Sequence, residues 1–309
     1  MSKKQLMPLS QLNLTDRFLF YEVMEDPQAH QAALRIIFGR DISLLGSAET
    51  EKELRVSPAI RSIRMDVFSM DEDCTVYNME MQKRRKNDLT KRSRYYQALI
   101  DTSLLEPGIP SYNRLNFSYI ILIMPFDLFG YGKYRYTFEA SCKDVPSCPL
   151  GDGAVRIFLN TRGINDSEVS PELVQFLHYI EETTDEAAEQ TDCDLIRQIH
   201  HRVRKVKSSE EIGVKYMQAW EERYYDKQEA REEGLAEGRT EGRTEARVNG
   251  ILELLSELGT VPNSLENAIS SENREEILKS WLKLAARAKN FSDFAKKPGW
   301  RLRFLINNQ

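Results

Sequence analysis

Cysteine and histidine are scarce in this sequence. Among 309 residues there are four of each, and the cysteines, Cys74, Cys142, Cys148 and Cys193, form no C-x-x-C pair. No histidine stands beside them at metal-ligand spacing, so we expect no structural zinc site. Thiols this sparse are typical of a protein that works in a reducing cytoplasm.

Long apolar runs are absent as well. The longest, at 119–126, is far shorter than the roughly 20 residues of a membrane-spanning helix. The N-terminal segment MSKKQLMPLS has no apolar signal core. These absences predict a soluble cytoplasmic protein with no membrane contact. The chain also lacks a Walker loop and a G-x-G-x-x-G motif, which argues against the common glycine-rich nucleotide-binding loops.

The sequence also lacks an excess of positive charge. The formal net charge is -5, so the chain does not resemble a protein that coats nucleic acid through its overall charge. Contact with phosphates would need a local basic patch. Apolar residues make up 41% of the sequence, which is enough to bury a core, and the 29% of charged residues indicates long exposed helices.

The first helical region is predicted at 13–38, where apolar residues recur at helical spacing. Asn13 or Thr15 is the candidate residue to cap its first turn. Pro27 is expected to divide the region into two helices, and Gly39 is expected to end the second helix.

A hairpin is predicted next. Residues with alternating polarity give strands at 63–68 and 75–82, and the acidic cluster at 71–73 gives the turn between them. A basic segment, 83–94, then leads into a helix. Further strands are predicted at 117–124, 134–139 and 154–159. This order of helices and strands predicts an α/β fold in which helices pack on a mixed sheet.

The chain after Ser170-Pro171 is predicted to be helical, and a short repeat lies within it. Glu-Gly pairs recur with a period of four at 233–246. On a helix, these glycines would leave a smooth stripe for a closely packed partner. Glycine disfavours a helix by roughly 0.8–1 kcal/mol relative to alanine, so a flexible charged linker is an equal alternative.

Two short amphipathic helices are predicted at 247–258 and 274–288. The resulting division is an α/β core with its helical extension at 1–205, followed by a helical C-terminal region at 206–309. This C-terminal region is a candidate for oligomerisation or regulation, and it makes a homo-oligomer the expected assembly.

The strongest candidate site combines Asp66 on the first hairpin strand with Glu80 and Gln82 on the second. Side chains alternate faces along a strand, so Glu80 and Gln82 share a face, and pairing of the two strands brings Asp66 close to Glu80. Two carboxylates on adjacent strands form a hard-oxygen site that suits Mg²⁺ or Mn²⁺. Such an ion could polarise a phosphodiester.

An aspartate and a glutamate on neighbouring strands are also ordinary surface residues in most proteins. Two details favour a functional site here. Glu80 lies within an otherwise apolar segment, 76–81, and a dense basic stretch follows at 83–94. The basic stretch would provide the local basic patch that a protein of negative net charge needs to contact phosphates.

The hairpin and the helix after it resemble a known family. The runs I-R-M-D-V-F and Y-N-M-E-M-Q, followed by K-R-S-R-Y-Y-Q-A-L-I-D, are similar to PD-(D/E)XK nuclease family transposases, the recombination-promoting nucleases of bacteria. The resemblance extends upstream to T-D-R-F-L-F and downstream to F-L-N-T-R-G and the Glu-Gly repeat, and it covers roughly residues 10–245.

The resemblance implies a restriction-endonuclease-like core and metal-dependent cleavage of DNA. By matching position, Asp66 and Glu80 would bind the metal together with the backbone carbonyl of Met81. Gln82 stands where the family's name motif has a lysine, which would orient the attacking water and stabilise negative charge. Glutamine is neutral and cannot act as a base, although it can hydrogen-bond a water molecule.

Several further residues are candidates around this site. Asp16 and Glu22 on the first helix could approach the metal, although Asp16 could equally be a helix N-terminal charge favoured by the dipole. For Tyr96, core packing is the alternative to a DNA contact. The residues predicted to contact DNA are Arg84, Arg85, Arg92, Arg94 and Tyr96.

The sequence therefore predicts an Mg²⁺-dependent endonuclease that hydrolyses DNA phosphodiester bonds and is linked to recombination or mobile elements. The alternative is a catalytically weak DNA-binding module that assembles through its C-terminal helices. DNA is the expected partner in both cases.

Overall fold

The computed structural model describes residues 6–54, 63–105, 108 and 110–295. It contains two compact units, Met1–Ala219 and Trp220–Gln309. The first holds two hydrophobic clusters, one on each face of a sheet, and the second holds a cluster of its own. The division at 205/206 remains a prediction, and the last part of the predicted C-terminal region, 296–309, lies outside the described residues.

A six-stranded mixed sheet forms the centre of the first unit, in the order β1-β2-β3-β4-β6-β5. Strands β3, β4 and β6 are parallel, and the strands at either side of them pair antiparallel. The predicted hairpin and the three further predicted strands are confirmed. The strand bounds are β1 Glu49–Leu54, β2 Ile63–Met70, β3 Val76–Met81, β4 Ser118–Met124, β5 Arg135–Phe138 and β6 Ala154–Asn160.

Helices cover both faces of the sheet. Strand residues alternate between the two faces, so Ile121 and Ile123 pack under α1, α2, α4 and α6, whereas Ile120 and Leu122 pack under α3. The α-helices that lie wholly within the described part of the first unit are α1 Arg17–Met24, α2 Pro27–Phe38, α3 Leu89–Leu104, α4 Pro171–Glu181, α5 Asp185–Glu189 and α6 Asp194–Ser208.

The break between α1 and α2 lies where Pro27 predicted it, and Gly39 ends α2 with a φ of 66°. The predicted cap residues were wrong. The carboxylate of Asp16 accepts a hydrogen bond from the Phe18 amide and caps α1, whereas Asn13 accepts one from the Thr183 amide. Asp16 lies next to the first helical residue, and this position is the one that a capping side chain requires.

A buried aspartate fixes the turn of the β2–β3 hairpin. Asp71 accepts hydrogen bonds from the amides of Asp73 and Thr75 and from the Tyr77 hydroxyl, at 3.1, 2.8 and 2.8 Å. Because a one-residue slip would move every strand side chain to the other face, this turn determines which residues of β3 face α3.

The described part of the second unit is helical. The Glu-Gly repeat lies inside α7, Glu210–Ser256, so the helical alternative is correct and the linker alternative is wrong. The predicted helix at 247–258 is the end of α7 rather than a separate helix, and α8 was not predicted. The remaining helices are α8 Asn263–Ser270, α9 Glu275–Ala285 and α10 Phe291–Ala295. No helix in the described part of the chain is long and apolar enough to cross a membrane.

Candidate active site

The β2–β3 hairpin brings Asp66 and Glu80 to the same level of the sheet. The antiparallel ladder pairs Val67 with Met79, so Asp66 and Glu80 lie one residue beyond that pair. Both carboxylates are buried, with about 1% of each residue exposed. The register therefore gives Asp66 and Glu80 neighbouring positions on adjacent strands.

Asp66 is held by two side chains of α1 and by one backbone amide. The Arg17 Nη2 donates to Asp66 Oδ1 at 2.6 Å, and the Tyr21 hydroxyl donates to the same oxygen. The Met81 amide donates to Asp66 Oδ2 at 3.2 Å. Both carboxylate oxygens are therefore fixed, one by the helix and the other by the neighbouring strand.

The sheet is irregular next to Asp66. On its other side, β1 pairs Thr50 with Val67 and Lys52 with Met65, and Glu51 between these two pairs has a φ of 53°. A left-handed backbone at a residue other than glycine is unfavourable, and such positions cluster at functional sites.

Glu80 belongs to a small network on the α3 face of β3. Gln82 Nε2 donates to Glu80 Oε2 at 2.9 Å, and Arg92 Nη2 donates to the same oxygen at 3.1 Å. Arg92 Nη1 also donates to Gln82 Oε1 at 3.3 Å, and its Nε donates to the Tyr96 hydroxyl at 2.6 Å. The guanidinium is thereby anchored on three residues beside the two carboxylates.

The electrostatics of the two acids are dominated by burial. Burial raises the pKa of Asp66, and the positive charges of Arg17 and Arg92 offset only part of this rise. Burial also raises the pKa of Glu80, and the negative charge of Asp66 raises it further. Since a further positive charge would favour the ionised form of both groups, the site is suited to a cation.

The donor set fits a hard divalent ion. The Gln82 amide donates to the Ile123 carbonyl of β4 at 2.8 Å, so the peptide groups of Met81, one residue earlier, point to the β2 side. On that side the Met81 amide donates to Asp66. The Met81 carbonyl also faces β2. Among the described residues, no group of three or more histidine, cysteine or acidic side chains is placed to hold a metal ion. Two carboxylates and a carbonyl are a set that Mg²⁺ accepts together with water.

The two accessory acids have other partners in this structure. Asp16 caps α1 through the Phe18 amide, and Glu22 forms an ion pair with Lys215. None of the hydrogen bonds described for these two residues reaches Asp66 or Glu80. Their assignment as metal-site residues remains a prediction that this geometry does not support.

The predicted DNA-contacting residues fall into two groups. Arg84, Arg85 and Arg94 are exposed, and Arg85 donates to the Leu128 carbonyl at 3.3 Å. Arg92 and Tyr96 instead belong to the network of Glu80, and only 5% of Tyr96 is exposed. Tyr96 is therefore packed in the core, as the alternative prediction stated, and is not an exposed phosphate contact.

Arg17 and Tyr21 were not found from the sequence. They lie four residues apart on α1 and so share a helix face, which was a usable signal. Nothing in the local pattern, however, indicated that this face would contact a residue 45 to 49 positions further along the chain. That contact depends on how α1 packs on the sheet.

Comparison with known proteins identifies the family of the chain. The model of the PD-(D/E)XK nuclease family transposases matches residues 47–234, which include the hairpin, α3 and the whole sheet from β1 to β6. No curated protein and no solved structure matches the chain. The mixed sheet with flanking helices is consistent with the restriction-endonuclease-like fold that the resemblance implied. Because the match spans more than half of the sequence, the chain belongs to the PD-(D/E)XK nuclease family transposases.

Proposed function

We propose that the chain is a divalent-metal-dependent DNA endonuclease with its active site at Asp66, Glu80 and Gln82. One observation carries this proposal: two buried carboxylates on adjacent strands, both with raised pKa values. Burying two acids side by side is unfavourable unless a cation compensates their charge. Family membership makes nucleic-acid cleavage the chemistry that explains such a site, in a setting of recombination or mobile elements.

The carboxylates of Asp66 and Glu80 and the carbonyl of Met81 would hold Mg²⁺ or Mn²⁺. Bound there, the ion would polarise the phosphodiester and stabilise the negative charge that develops during hydrolysis. Arg17 and Tyr21 fix the orientation of Asp66 by donating to its Oδ1. They act through Asp66 and are positioning residues in this mechanism.

Gln82 and Arg92 together would replace the lysine of the family's name motif. Gln82 can orient a water molecule through its amide, but it brings no positive charge. The Arg92 guanidinium, which contacts both Glu80 and Gln82, supplies a positive charge at the same place from α3. In this arrangement the glutamine positions the water, and the arginine stabilises negative charge on the substrate.

A plasmid-nicking assay tests the proposal. Full-length wild type should nick plasmid DNA with Mg²⁺ or Mn²⁺ and should be inactive with EDTA. Asp66→Asn keeps the size of the side chain and should abolish cleavage. Asp73→Asn is the matched control, because Asp73 is exposed at the other end of the same hairpin, and it should cleave like wild type. Cleavage by Asp66→Asn at the wild-type rate would contradict the proposal.

A DNA-binding module without catalysis is the second candidate. The observation that favours it is that each carboxylate already has an arginine partner, Arg17 for Asp66 and Arg92 for Glu80. These ion pairs could neutralise the site without a metal. DNA affinity that survives EDTA, with no nicking at any Mg²⁺ or Mn²⁺ concentration, would favour this candidate.

A further inference from the structure

Three loops lie at the same edge of the sheet as the candidate active site. Strands β3, β4 and β6 are parallel and adjacent, so their carboxyl ends coincide. The segments 82–88, 125–133 and 161–165 follow these three strands. Whatever these loops expose therefore lies near Gln82, at the end where a substrate would approach Glu80.

Two apolar side chains of these loops are strongly exposed. Tyr131 follows β4 and is 78% exposed, and Ile164 follows β6 and is 81% exposed. The loops that carry them are in contact: the Ile164 amide donates to the Gly132 carbonyl at 2.8 Å. Gly132 has a φ of 68°, and a Cβ there would lie 2.8 Å from Ile164 Cγ1. This close approach places Ile164 against Gly132, the residue that follows Tyr131.

A network of hydrogen bonds holds the loop that carries Tyr131. The carboxylate of Asp127 accepts hydrogen bonds from the amides of Phe129, Gly130 and Gly132 at 3.0, 2.9 and 2.6 Å. The Tyr136 hydroxyl donates to the same carboxylate and accepts from the amides on either side of Gly132. An aromatic side chain presented by such a loop loses little conformational freedom when it binds a partner.

Positive charge lies on the loop that contacts the Tyr131 loop. The segment 83–86 consists of four basic residues, all of them exposed. Arg85 joins it to the Tyr131 loop through its hydrogen bond to the Leu128 carbonyl. An exposed aromatic ring next to a cationic strip is the combination that binds single-stranded nucleic acid, through base stacking and phosphate contacts.

We propose that Tyr131, supported by Ile164, stacks on an unpaired base next to the scissile phosphate. The substrate class is then DNA that carries unpaired bases, such as a flap, a gap or a single strand, rather than an uninterrupted duplex. This inference rests on the proposed nuclease function and adds a specificity-determining residue to it.

The test measures DNA binding by fluorescence anisotropy, with the full-length Asp66→Asn protein in EDTA so that no cleavage occurs. One labelled probe is a blunt duplex, and the other is the same duplex with a short single-stranded flap. The parent protein should prefer the flap probe. Adding Tyr131→Ala should weaken flap binding by roughly five- to a hundredfold, the range of base–aromatic stacking, and should leave blunt-duplex binding unchanged.

Two controls make the result specific. Tyr131→Phe retains the ring and should bind both probes like the parent. Tyr112→Ala removes an equally exposed tyrosine, 80% exposed, that precedes β4 and so lies at the opposite edge of the sheet. It should also bind like the parent.

The inference fails if Tyr131→Ala binds the flap probe like the parent, or if it loses affinity equally for both probes. Plasmid nicking by wild type reports separately on the proposed function. Metal-dependent nicking without an effect of Tyr131→Ala would refute the stacking role alone. No nicking, and no binding of either probe, would refute the proposed function and the stacking role together.

Discussion

Replacing Glu80 by glutamine should stabilise the metal-free protein at alkaline pH. The substitution removes a buried negative charge and keeps the size of the side chain. A glutamine oxygen can still accept the hydrogen bonds from Gln82 and Arg92. Arg92 loses its ion pair, but its side chain is 26% exposed and it keeps its hydrogen bond to the Tyr96 hydroxyl.

The sign of the effect follows from the raised pKa of Glu80. A carboxyl whose pKa is higher in the folded than in the unfolded chain stabilises the fold below its unfolded pKa. That contribution is lost as the pH rises through its folded pKa. Each unit of pKa difference corresponds to about 1.4 kcal/mol. We expect Glu80→Gln and wild type to be equally stable near pH 4, and the variant to gain on the order of 2 kcal/mol near pH 9.

The measurement is thermal unfolding in EDTA across this pH range, with Glu72→Gln as the control for the same change at an exposed residue. Mg²⁺ should reduce the advantage of the variant at alkaline pH, because only wild type binds the ion. At roughly ten times its Kd, the ion should stabilise wild type by about 1.4 kcal/mol and leave Glu80→Gln unchanged. The reasoning is refuted if metal-free wild type gains stability relative to Glu80→Gln as the pH rises.

Four further substitutions test the surroundings of this site, the long helix and a glycine beside Tyr134. Tyr21→Phe removes one donor to Asp66 Oδ1 and should weaken Mn²⁺ binding roughly tenfold, as measured by calorimetry, without loss of fold; unchanged affinity would exclude the positioning role. Gln82→Lys should slow plasmid nicking rather than accelerate it, because its ammonium would meet the Arg92 guanidinium, now 3.3 Å from the Gln82 amide oxygen. Faster nicking would show that the arginine does not replace the lysine. Gly238→Ala, on an open helix surface, should stabilise α7 by roughly 0.8–1 kcal/mol, whereas Gly163→Ala should destabilise the first unit because its Cβ would overlap the Tyr134 ring. Circular dichroism during thermal unfolding measures both changes.

Local patterns were sufficient to predict the hairpin and its two acids. Alternation gave the faces of β3, and the acidic turn gave the register, which the contacts of Asp71 with Thr75 and Tyr77 explain. The same patterns could not predict β1, Glu49–Leu54, because its sequence E-T-E-K-E-L is charged along most of its length. Charged residues are common on edge strands, where one side of the backbone lacks a strand partner, and they carry no alternating apolar signal.

At the glycine repeat, local helix propensity could not decide between two predicted structures. Propensity alone left a helix and a linker equally plausible at 233–246, since each glycine disfavours a helix. Residues on either side of the repeat decide the outcome, because α7 extends from Glu210 to Ser256 without interruption. A repeat within so long a helix adds one hydrogen bond for each residue that it orders, and it needs no new nucleation step.

The glutamine at position 82 and the half-buried position of Arg92 have one explanation. In the sequence, Gln82 leaves the site without the positive charge of a lysine. Arg92 is predicted there as one of several residues that contact DNA. The helical period places Leu89, Ser93, Tyr96 and Ile100 on the buried face of α3. Arg92, four residues before Tyr96, borders this face and reaches Glu80 and Gln82. A positive charge missing from β3 is thus present on α3. The position of this charge on α3 instead of β3 can be recognised only when the packing of the helix on the sheet is known.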